Sequence, residues 1–124
     1  MTEMIYITID GDDIGQRITR CYLSNDARAL EDLNEKMKET TELISKYLEN
    51  IGFSIIFCGA DGVAGCANGL KISDSAIFHE ISSIAKGFAT FSVGTGASLR
   101  ESYVALMAAK SLGKAQLYNY KNLN

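Results

Sequence analysis

Several residue types are scarce in this chain of 124 residues, and each scarcity excludes a class of function. Proline and tryptophan are absent, and histidine occurs once, as His79 inside a predicted helix. Most histidine-based schemes of hydrolysis are excluded, because no second candidate ligand or base lies near this residue. The chemistry of the chain has to be sought among other side chains.

The chain also lacks an excess of basic residues and a long apolar run. Lys and Arg total 12 against 15 Asp and Glu, a net charge of -3, whereas long nucleic acids bind to a basic face. No apolar run is long enough to span a membrane, and the first residues do not resemble a signal peptide. We expect a cytoplasmic protein without long nucleic acids or direct membrane contact, while a small charged ligand stays compatible.

The three cysteines are an odd number and do not have the spacing of a metal site. We expect reduced thiols, as is usual in the cytoplasm. Cys58 and Cys66 lie in apolar strand patterns, which favours burial in the core over chemical reactivity.

The most informative stretch is YITIDGDDIG, from Tyr6 to Gly15. Its first half alternates β-branched and aromatic residues, as a buried strand does. Three carboxylates follow, on Asp10, Asp12 and Asp13, and like charges this close repel each other unless a cation neutralises them. Hard cations such as Mg²⁺ bind carboxylate and backbone oxygens. The stretch therefore predicts a metal site or, alternatively, an ordinary polar turn at the end of a strand.

Apolar spacing predicts four helices and four further strands after this first strand. Helices are expected over residues 14–23, 27–49, 73–86 and 98–113, and strands over 53–58, 63–66, 88–94 and 115–120. The strand over 53–58 is apolar enough to be central in a sheet. The last helix is expected to carry its larger side chains inward, namely Leu99, Tyr103, Leu106 and Met107.

The order β-α-α-β-β-α-β-α-β predicts an α+β fold with a mainly antiparallel five-stranded sheet, the ferredoxin-like palm arrangement, as one domain over residues 1–124. An Asp-Gly pair between two apolar runs predicts a tight hairpin with Asp61 at its tip. In this fold the hairpin lies beside the end of the first strand, so Asp61 faces Asp10. Two carboxylates and a backbone carbonyl make a site for one or two Mg²⁺ ions and for in-line displacement at phosphorus. Alone, Asp61 is a turn residue.

Two further features predict phosphate binding. The backbone amides of Asp13, Ile14 and Gly15 lie at a helix N-terminus, which is a ready anion site. Lys110 and Lys114 lie at the end of the last helix and the start of the last strand. They either reach phosphates as point charges or complement the helix dipole.

At these residues the chain resembles the palm-domain nucleotide cyclases. It is similar to GGDEF diguanylate cyclases and to the polymerase-like palm of the large type III CRISPR subunit, and most of all to the minimal CRISPR polymerase (mCpol) family. Four segments carry the resemblance in the order of the family: DGDDIG at 10–15, GADG at 59–62, FSVG at 91–94 and AKSLGK at 109–114.

The resemblance implies a catalytic and metal-binding pair, Asp10 and Asp61, with the carbonyl of Gly11 as a third ligand of Mg²⁺ or Mn²⁺. It also implies phosphate contacts from the backbone around Ile14 and from the two lysines. The full set of implied nucleotide-binding residues is Gly11, Asp12, Asp13, Ile14, Gly15, Gly59, Ala60, Lys110 and Lys114.

Two positions depart from the pattern of the relatives. The fourth hairpin position is acidic in them but is Gly62 here, so a second-metal or base role loses its usual residue unless Asp12 or Asp13 replaces it. The asparagine with which GGDEF proteins read guanine falls at Ile18, followed by Thr19. A guanine-selective site is therefore not expected, which fits the ATP preference that the CRISPR-like branch implies.

The leading hypothesis is a nucleotidyltransferase that joins ATP, or other nucleoside triphosphates, into a cyclic dinucleotide or short cyclic oligonucleotide and releases pyrophosphate. One palm of this size holds one nucleotide, so cyclisation predicts a homodimer. The family context implies antiviral signalling, with the product sensed by a separate effector protein. The alternatives are a non-catalytic nucleotide sensor, because of Gly62, and a phosphatase with Asp10 and Asp12 as its D-x-D pair.

Overall fold

The computed structural model describes residues 3–123. The strands are β1 (Met4–Gly11), β2 (Ser54–Gly59), β3 (Gly62–Asn68), β4 (Phe91–Gly96) and β5 (Leu117–Asn119). The helices are α1 (Ile14–Leu23), α2 (Ala27–Asn50), α3 (Asp74–Ala85) and α4 (Leu99–Ser111), and a 3₁₀ turn follows at Tyr120–Asn122. None of these helices is both long enough and apolar enough to cross a membrane. The predicted α+β class and order of elements are confirmed.

Polar caps lie at the starts of three helices, and in α2 the cap is Asp26, which accepts from the amide of Ala29 at 3.0 Å. At the starts of α3 and α4, Ser73 and Ser98 accept hydrogen bonds from amides three residues further on, both at 3.1 Å. Glu101 accepts from the amide of Ala97 at 2.9 Å, so the S-x-x-E pattern satisfies donors on both sides of the start of α4. Helix α1 differs, because the side chain of Asp13 at its N-cap makes no capping hydrogen bond.

Within residues 3–123 the strands form one five-stranded sheet in the order β2-β3-β1-β4-β5. Strand β1 lies in the centre, antiparallel to β3 and β4, while β5 runs parallel to β4. The mainly antiparallel, palm-type sheet is thus confirmed. Asp10 pairs with Gly62 on one side and with Ser92 on the other, so the end of β1 lies between β3 and β4.

Helices α2 and α3 cover one face of the sheet and form the main core with it. The fully buried isoleucines and leucine of this core are Ile7, Ile9, Ile44, Leu48, Ile77 and Ile81. Burying each such side chain contributes about 1.5–3 kcal/mol. Ile7 and Ile9 alternate with Thr8, whose hydroxyl lies 2.7 Å from the hydroxyl of Ser102 in α4. Helix α4 therefore lies on the opposite face of the sheet.

Helix α4 lies directly against β4, because a glycine occupies the point of contact. A Cβ atom on Gly94 would lie 2.1 Å from the carbonyl oxygen of Ser102 and 2.2 Å from the backbone nitrogen of Leu106. Both distances are far below van der Waals contact, so no other residue fits here without moving the helix.

The buried face of α4 differs from the predicted one. Leu106 is buried as expected, but the other large side chains are not. Leu99, Tyr103 and Met107 are 47%, 55% and 37% exposed. The remaining buried positions are small residues, namely Ser102, Ala105 and Ala109. The close approach of α4 to β4 explains the error, since it leaves room for short side chains.

Strand β2 is an edge strand, although its apolar sequence predicted a central one. A β-bulge interrupts its pairing with β3: Ile55 pairs with Gly65, and Phe57 pairs with the adjacent Ala64. The extra residue is Ile56, which is 50% exposed. The apolar run therefore marks a surface strand with large exposed side chains.

The predicted burial of the strand cysteines is wrong for Cys58, which is exposed. It lies on the edge strand β2, with its sulfur 3.7 Å from the carbonyl oxygen of Thr41. Cys66 and Cys21 are partly buried. No disulfide links the three thiols.

Candidate active site

The hairpin tip between β2 and β3 is fastened to the end of β1. The amide of Gly11 donates a hydrogen bond to the carbonyl oxygen of Asp61 at 2.9 Å. Burial raises the pKa of Asp10 above its ordinary value, and the adjacent Asp61 carboxylate raises it further, against the lowering effect of Lys110. The structure thus brings Asp10 and Asp61 close enough to interact, as the sequence predicted.

Lys110 is the cation at this acidic cluster. Its ammonium group donates to the carbonyl oxygen of Gly11 at 2.8 Å and lies 3.0 Å from Oδ2 of Asp10 and 3.1 Å from Oδ1 of Asp12. Burial alone would lower the pKa of Lys110, but the hydrogen bonds and charges of the two carboxylates raise it. Lys110 is therefore held as a cation, and its contacts reach β1 rather than the helix end.

Asp12 is buried, with 3% of its surface exposed. Its carboxylate accepts hydrogen bonds from the hydroxyls of Thr90 and Ser92, both at 2.7 Å, and from the amide of Ala115 at 3.0 Å. Burial would raise the pKa of Asp12, but these bonds and that of Lys110 outweigh it and lower the pKa. Asp12 therefore bonds to the start of β4 and to the segment before β5, rather than facing solvent.

Asp13 and Lys114 form a separate, more exposed ion pair at the mouth of the site. Both have a left-handed backbone, with φ of 61° and 64°, and so do Ala60 and Ala115, at 49° and 51°. Within residues 3–123, the single other non-glycine residue with positive φ is Asn25. Such conformations cost about 1–3 kcal/mol each and cluster at functional sites.

The start of α1 opens onto the same place. Because Asp13 does not cap the helix, no side chain of its own N-cap occupies the first-turn amides. Ile14 is buried and Gly15 is exposed, with no atom within 4 Å of the position that a Cβ would take. Open space therefore lies beside the first turn of α1, where the sequence predicts an anion site.

A cavity of about 290 Å³ lies between α1, α2 and the hairpin tip. It is lined by the apolar side chains Ile14, Ile18, Leu30, Leu33 and Met37, together with Asn34, Ala60 and Asp61. Its walls are apolar, as in most small-molecule sites, and Asn34 contributes an amide at the rim. Gly59 lies one residue before this turn, at the end of β2.

Three residues of the site were not predicted from the sequence. Thr90 was predicted to lie within a strand, but β4 begins at Phe91, so Thr90 lies just before it. Ser92 lies in the FSVG segment, which carried part of the family resemblance. That segment did not indicate that the hydroxyl of Ser92 donates to Asp12. Asn34 interrupts the apolar face of a helix, and this was the available signal for it.

The donor set allows a limited metal site. Within residues 3–123, no group of three or more His, Cys, Asp or Glu side chains is arranged to hold a metal ion. The oxygens of Asp10, Asp61 and Gly11 remain, and Mg²⁺ is commonly bound by one or two carboxylates with water and substrate phosphates completing its shell. The ammonium of Lys110 on two of these groups shows that they accept a positive charge.

The fold is similar to solved palm domains over nearly the whole chain. The GGDEF domain of DgcB from Caulobacter crescentus, solved in complex with c-di-GMP, has a TM-score of 0.71 at 12% identity, over 98% of this chain and 80% of that one. The active GGEEF domain of a diguanylate cyclase from Vibrio cholerae gives 0.70 at 14% identity, over 97% and 84%. The Csm1-Csm4 cassette in complex with cA4 gives 0.68 at 16% identity, over 93% of this chain and 20% of that chain.

The TM-scores establish the palm fold, and a family model adds the family. Comparison with curated proteins gives no significant match. The model of mCpol, described as the minimal CRISPR polymerase domain, matches residues 6–120, which include all the segments that carried the resemblance. The chain therefore belongs to the mCpol family of minimal CRISPR polymerase domains.

Proposed function

We propose that this chain is a nucleotidyltransferase, dependent on Mg²⁺ or Mn²⁺, that condenses ATP into a cyclic dinucleotide or short cyclic oligonucleotide with release of pyrophosphate. The observation that carries the proposal is the juxtaposition of Asp10, Asp61 and the Gly11 carbonyl with Lys110, in a palm of the mCpol family. Metal-assisted phosphoryl chemistry uses such a set of carboxylates and cations.

Asp10, Asp61 and the carbonyl of Gly11 are the residues that would hold the metal. A divalent ion bound there supplies positive charge to the attacking and leaving oxygens at phosphorus. Oδ2 of Asp10 contacts Lys110, whereas Oδ1 lies on the side of Gly62. The carboxylate can therefore hold the lysine with one oxygen and face the hairpin with the other.

The triphosphate is assigned to the start of α1 and to the two lysines. The amides of Ile14 and Gly15 lie at the positive end of the dipole of α1, and this position favours an anion. Lys110 supplies a charge already fixed by its carboxylates. Lys114 supplies one that is 41% exposed and that pairs with Asp13. A phosphate approaching this mouth meets Lys114 first.

The adenine is assigned to the cavity between α1 and α2. Ile18 is part of the apolar wall of this cavity. It occupies the position at which GGDEF proteins carry the asparagine that recognises guanine. An asparagine amide can pair in a bidentate way with N6 and N7 of adenine, which assigns base recognition to Asn34.

Membership of the mCpol family supports our proposal for the biological setting. Closing a ring needs at least two new phosphodiester bonds, and each chain carries one carboxylate pair among residues 3–123, so we propose a homodimer. We further propose an antiviral signalling role in which a separate effector protein senses the product.

The direct test is incubation with ATP and Mg²⁺, or Mn²⁺, followed by mass spectrometry. We expect cyclic or linear oligoadenylate and pyrophosphate from the wild type and neither from Asp10→Asn or Asp61→Asn. Asp32→Asn, an exposed carboxylate of α2, is the matched control and should keep activity. Failure of the wild type to form any oligonucleotide while its ATP site is saturated would refute the enzymatic proposal.

One observation favours a second candidate, a non-catalytic nucleotide sensor. Gly62 packs so tightly that a Cβ there would lie 2.7 Å from the carbonyl oxygen of Ile9. The strand pairing therefore has no room for the acidic residue that relatives carry. Tight ATP binding in calorimetry without turnover, unaffected by Asp61→Ala, would favour the sensor.

The D-x-D phosphatase has less support from the geometry. Such a pair needs both carboxylates at the substrate, but Asp12 is buried among donors of its own chain. Phosphate release from a generic phosphomonoester that disappears in Asp10→Asn would revive it.

A further inference from the structure

Helix α1, whose first turn carries the predicted anion site, has few buried residues of its own. Ile14 is buried, Arg17 and Cys21 are half-buried, and the other residues of the helix are exposed. Asp13, which precedes the helix, has a left-handed backbone and makes no side-chain cap. A segment with so little burial and an unfavourable backbone angle needs contacts from elsewhere in the chain to fix its position.

These contacts come from the loop between α3 and β4, residues 86–90, which we call the α3–β4 loop. The guanidinium of Arg17 donates from Nη1 to the carbonyl oxygen of Phe88 at 2.8 Å, and its Cζ lies 4.8 Å from the centre of the Phe88 ring. The face of an aromatic ring attracts a cation, and a hydrogen bond from a charged donor is stronger than a neutral one. Arg17 thus binds one residue of the loop in two ways.

Asp12 binds the same loop two residues further on. Its amide donates to the carbonyl oxygen of Thr90 at 2.9 Å, and its carboxylate accepts from the hydroxyl of Thr90 at 2.7 Å. Asp12 and Arg17 lie immediately before and after residues 13–16 in the chain. The first turn of α1 is therefore held to the α3–β4 loop at both of its ends.

The α3–β4 loop is itself fixed to the core. The amides of Phe88 and Ala89 donate to the carbonyl oxygen of Ala85 at 3.0 and 3.2 Å, which fastens the loop to the last turn of α3. Ala85 is 1% exposed, and the loop continues into Phe91, which is 2% exposed. Both ends of the loop are thus joined to residues of the main core.

We propose that Arg17 is a positioning residue, which together with Asp12 fixes the amides of Ile14 and Gly15 where the triphosphate of ATP binds. This inference rests on the proposed function, which assigns the triphosphate to the start of α1. A fixed binding site loses less freedom when its ligand binds, so its affinity is higher than that of a mobile one.

Arg17 acts through the position of the helix rather than as part of the adenine cavity. Ile14 and Ile18 line that cavity from α1, whereas Arg17 lines a different one together with Arg20. Nη1 and the face of the guanidinium are already engaged by Phe88. Loss of Arg17 should therefore weaken the binding of the phosphates while the pocket of the base stays intact.

The experiment compares a ligand with phosphates and one without them on the full chain. Calorimetry measures a non-hydrolysable ATP analogue with Mg²⁺, and an NMR titration measures adenosine. We expect Arg17→Leu to lower the affinity for the ATP analogue about five-fold or more and the affinity for adenosine by less than about two-fold, because the first-turn amides alone lose their fixed position. Arg17→Lys keeps a charge and a donor for Phe88, so it should restore most of the affinity.

Arg20→Leu is the matched control, since it removes an exposed arginine from the same helix and should bind both ligands as the wild type does. Phe88→Leu tests the route through the loop. It keeps the carbonyl that accepts from Arg17 and removes the ring, so it should weaken binding of the ATP analogue in the same direction but less. In that background Arg17→Leu should cost less than in the wild type, because the two residues share one contact.

In turnover, Arg17→Leu should raise the ATP concentration for half-maximal rate about five-fold and change the rate at saturation by less than about two-fold. A folded Arg17→Leu chain that binds the analogue as the wild type does overturns the proposal. An equal loss for adenosine also overturns it, since Arg17 then supports the whole fold, and so does an equal loss in Arg20→Leu, since the effect is then one of net charge.

Two further results separate this proposal from its neighbours. If Arg17→Leu does not fold, Phe88→Leu takes its place, and an unchanged affinity for the ATP analogue in that variant overturns the proposal. If the wild type binds the analogue but forms no product, the proposed transfer fails, while the expected losses of binding still support the role of Arg17. A wild type that does not bind the analogue overturns both.

Discussion

Asp12 is buried, and its hydrogen bonds connect the segments that surround the candidate site. Its lowered pKa means that the folded chain holds the ionised form, so its contribution to stability is present above the ordinary pKa of a carboxyl group and is lost as the pH falls through the lowered value. We expect Asp12→Asn to reduce the free energy of unfolding by about 2–3 kcal/mol at pH 7. Urea unfolding at pH 7 and near pH 3 would show this difference shrinking in acid.

Asp32→Asn is the control for this prediction, because Asp32 is exposed on α2. It should change stability by less than about 0.5 kcal/mol at either pH. A loss in Asp12→Asn that stays the same in acid would mean that the hydrogen-bond geometry, rather than the charge of Asp12, stabilises the fold.

Lys110 and Lys114 occupy similar motif positions but have different surroundings. Lys110→Met leaves Asp10 and Asp12 without their common cation, so we expect loss of about 1–3 kcal/mol of stability as well as loss of turnover. Lys114→Met breaks an exposed pair with Asp13, and such pairs contribute about 0–1 kcal/mol. Thermal melts and ATP titrations together would separate them: Lys114→Met should weaken ATP binding with almost no change in melting temperature.

The residues of the site were predictable where a charge pattern marked them. Asp10 lies at the end of a strand, Asp61 in a turn and Lys110 near the end of a helix. The palm topology brings these three positions together, so their charges marked them as candidates. Asn34 and Thr90 have no charge that marks them in the sequence. The role of an amide or a hydroxyl depends on its hydrogen-bond partners in the folded chain. Their positions depend on packing that the sequence does not display.

At the level of elements, the pairing of β3 with β1 makes a prediction about Gly62. A Cβ at this position would press on the backbone carbonyl of Ile9, which cannot rotate away as a side chain can. We expect Gly62→Ala to cost about 1–3 kcal/mol of stability, as overpacking does. Denaturant unfolding measures this, with Gly15→Ala as the control.

Gly15 has free space around its position, inside α1. Its substitution by alanine should leave stability unchanged or raise it by about 0.5–1 kcal/mol, from helix propensity. A Gly62→Ala variant as stable as the wild type would show that β3 can move outwards. The acidic residue of the relatives would then be sterically possible here.

The elements also show which structural features the sequence could reveal. Helix α1 was predicted from Ile14 to about Leu23, before the Ser-Asn-Asp segment, and the structure agrees with these bounds. The bulge in β2 and the buried face of α4 were not predicted, because both depend on a neighbour: β3 for the bulge, and the glycines of β4 for the helix. Apolar periodicity alone favoured the larger side chains of α4.

For the whole molecule, the order of elements was sufficient to predict the palm arrangement and the hairpin beside β1, but not the complete strand order. Strands separated by helices and one direct hairpin allow few arrangements, and the palm is one of them. Which strand would lie at the edge was not predictable from apolarity. The apolar sequence of β2 predicted that Ile56 and Phe57 lie in the core. They lie on an edge strand, and about half of each residue is exposed.

On the proposed function, ligand should stabilise the folded chain as a whole. A non-hydrolysable ATP analogue with Mg²⁺ at 100 times its dissociation constant should add about 2.7 kcal/mol and raise the melting temperature. Asp10→Asn should lose the part of the shift that depends on Mg²⁺. If omission of Mg²⁺ and addition of a chelator leave the wild-type shift unchanged, the carboxylate pair is not a metal site.

The contact of Gly94 with the backbone of α4 has a consequence for engineering. Because main chain meets main chain there, the height of Lys110 above β1 depends on the absence of a side chain at Gly94 rather than on the packing of larger side chains. The layer of isoleucines under α2 and α3 lies on the other side of the sheet. Designers could therefore repack that layer for heat resistance while the spacing between α4 and the sheet stays as it is.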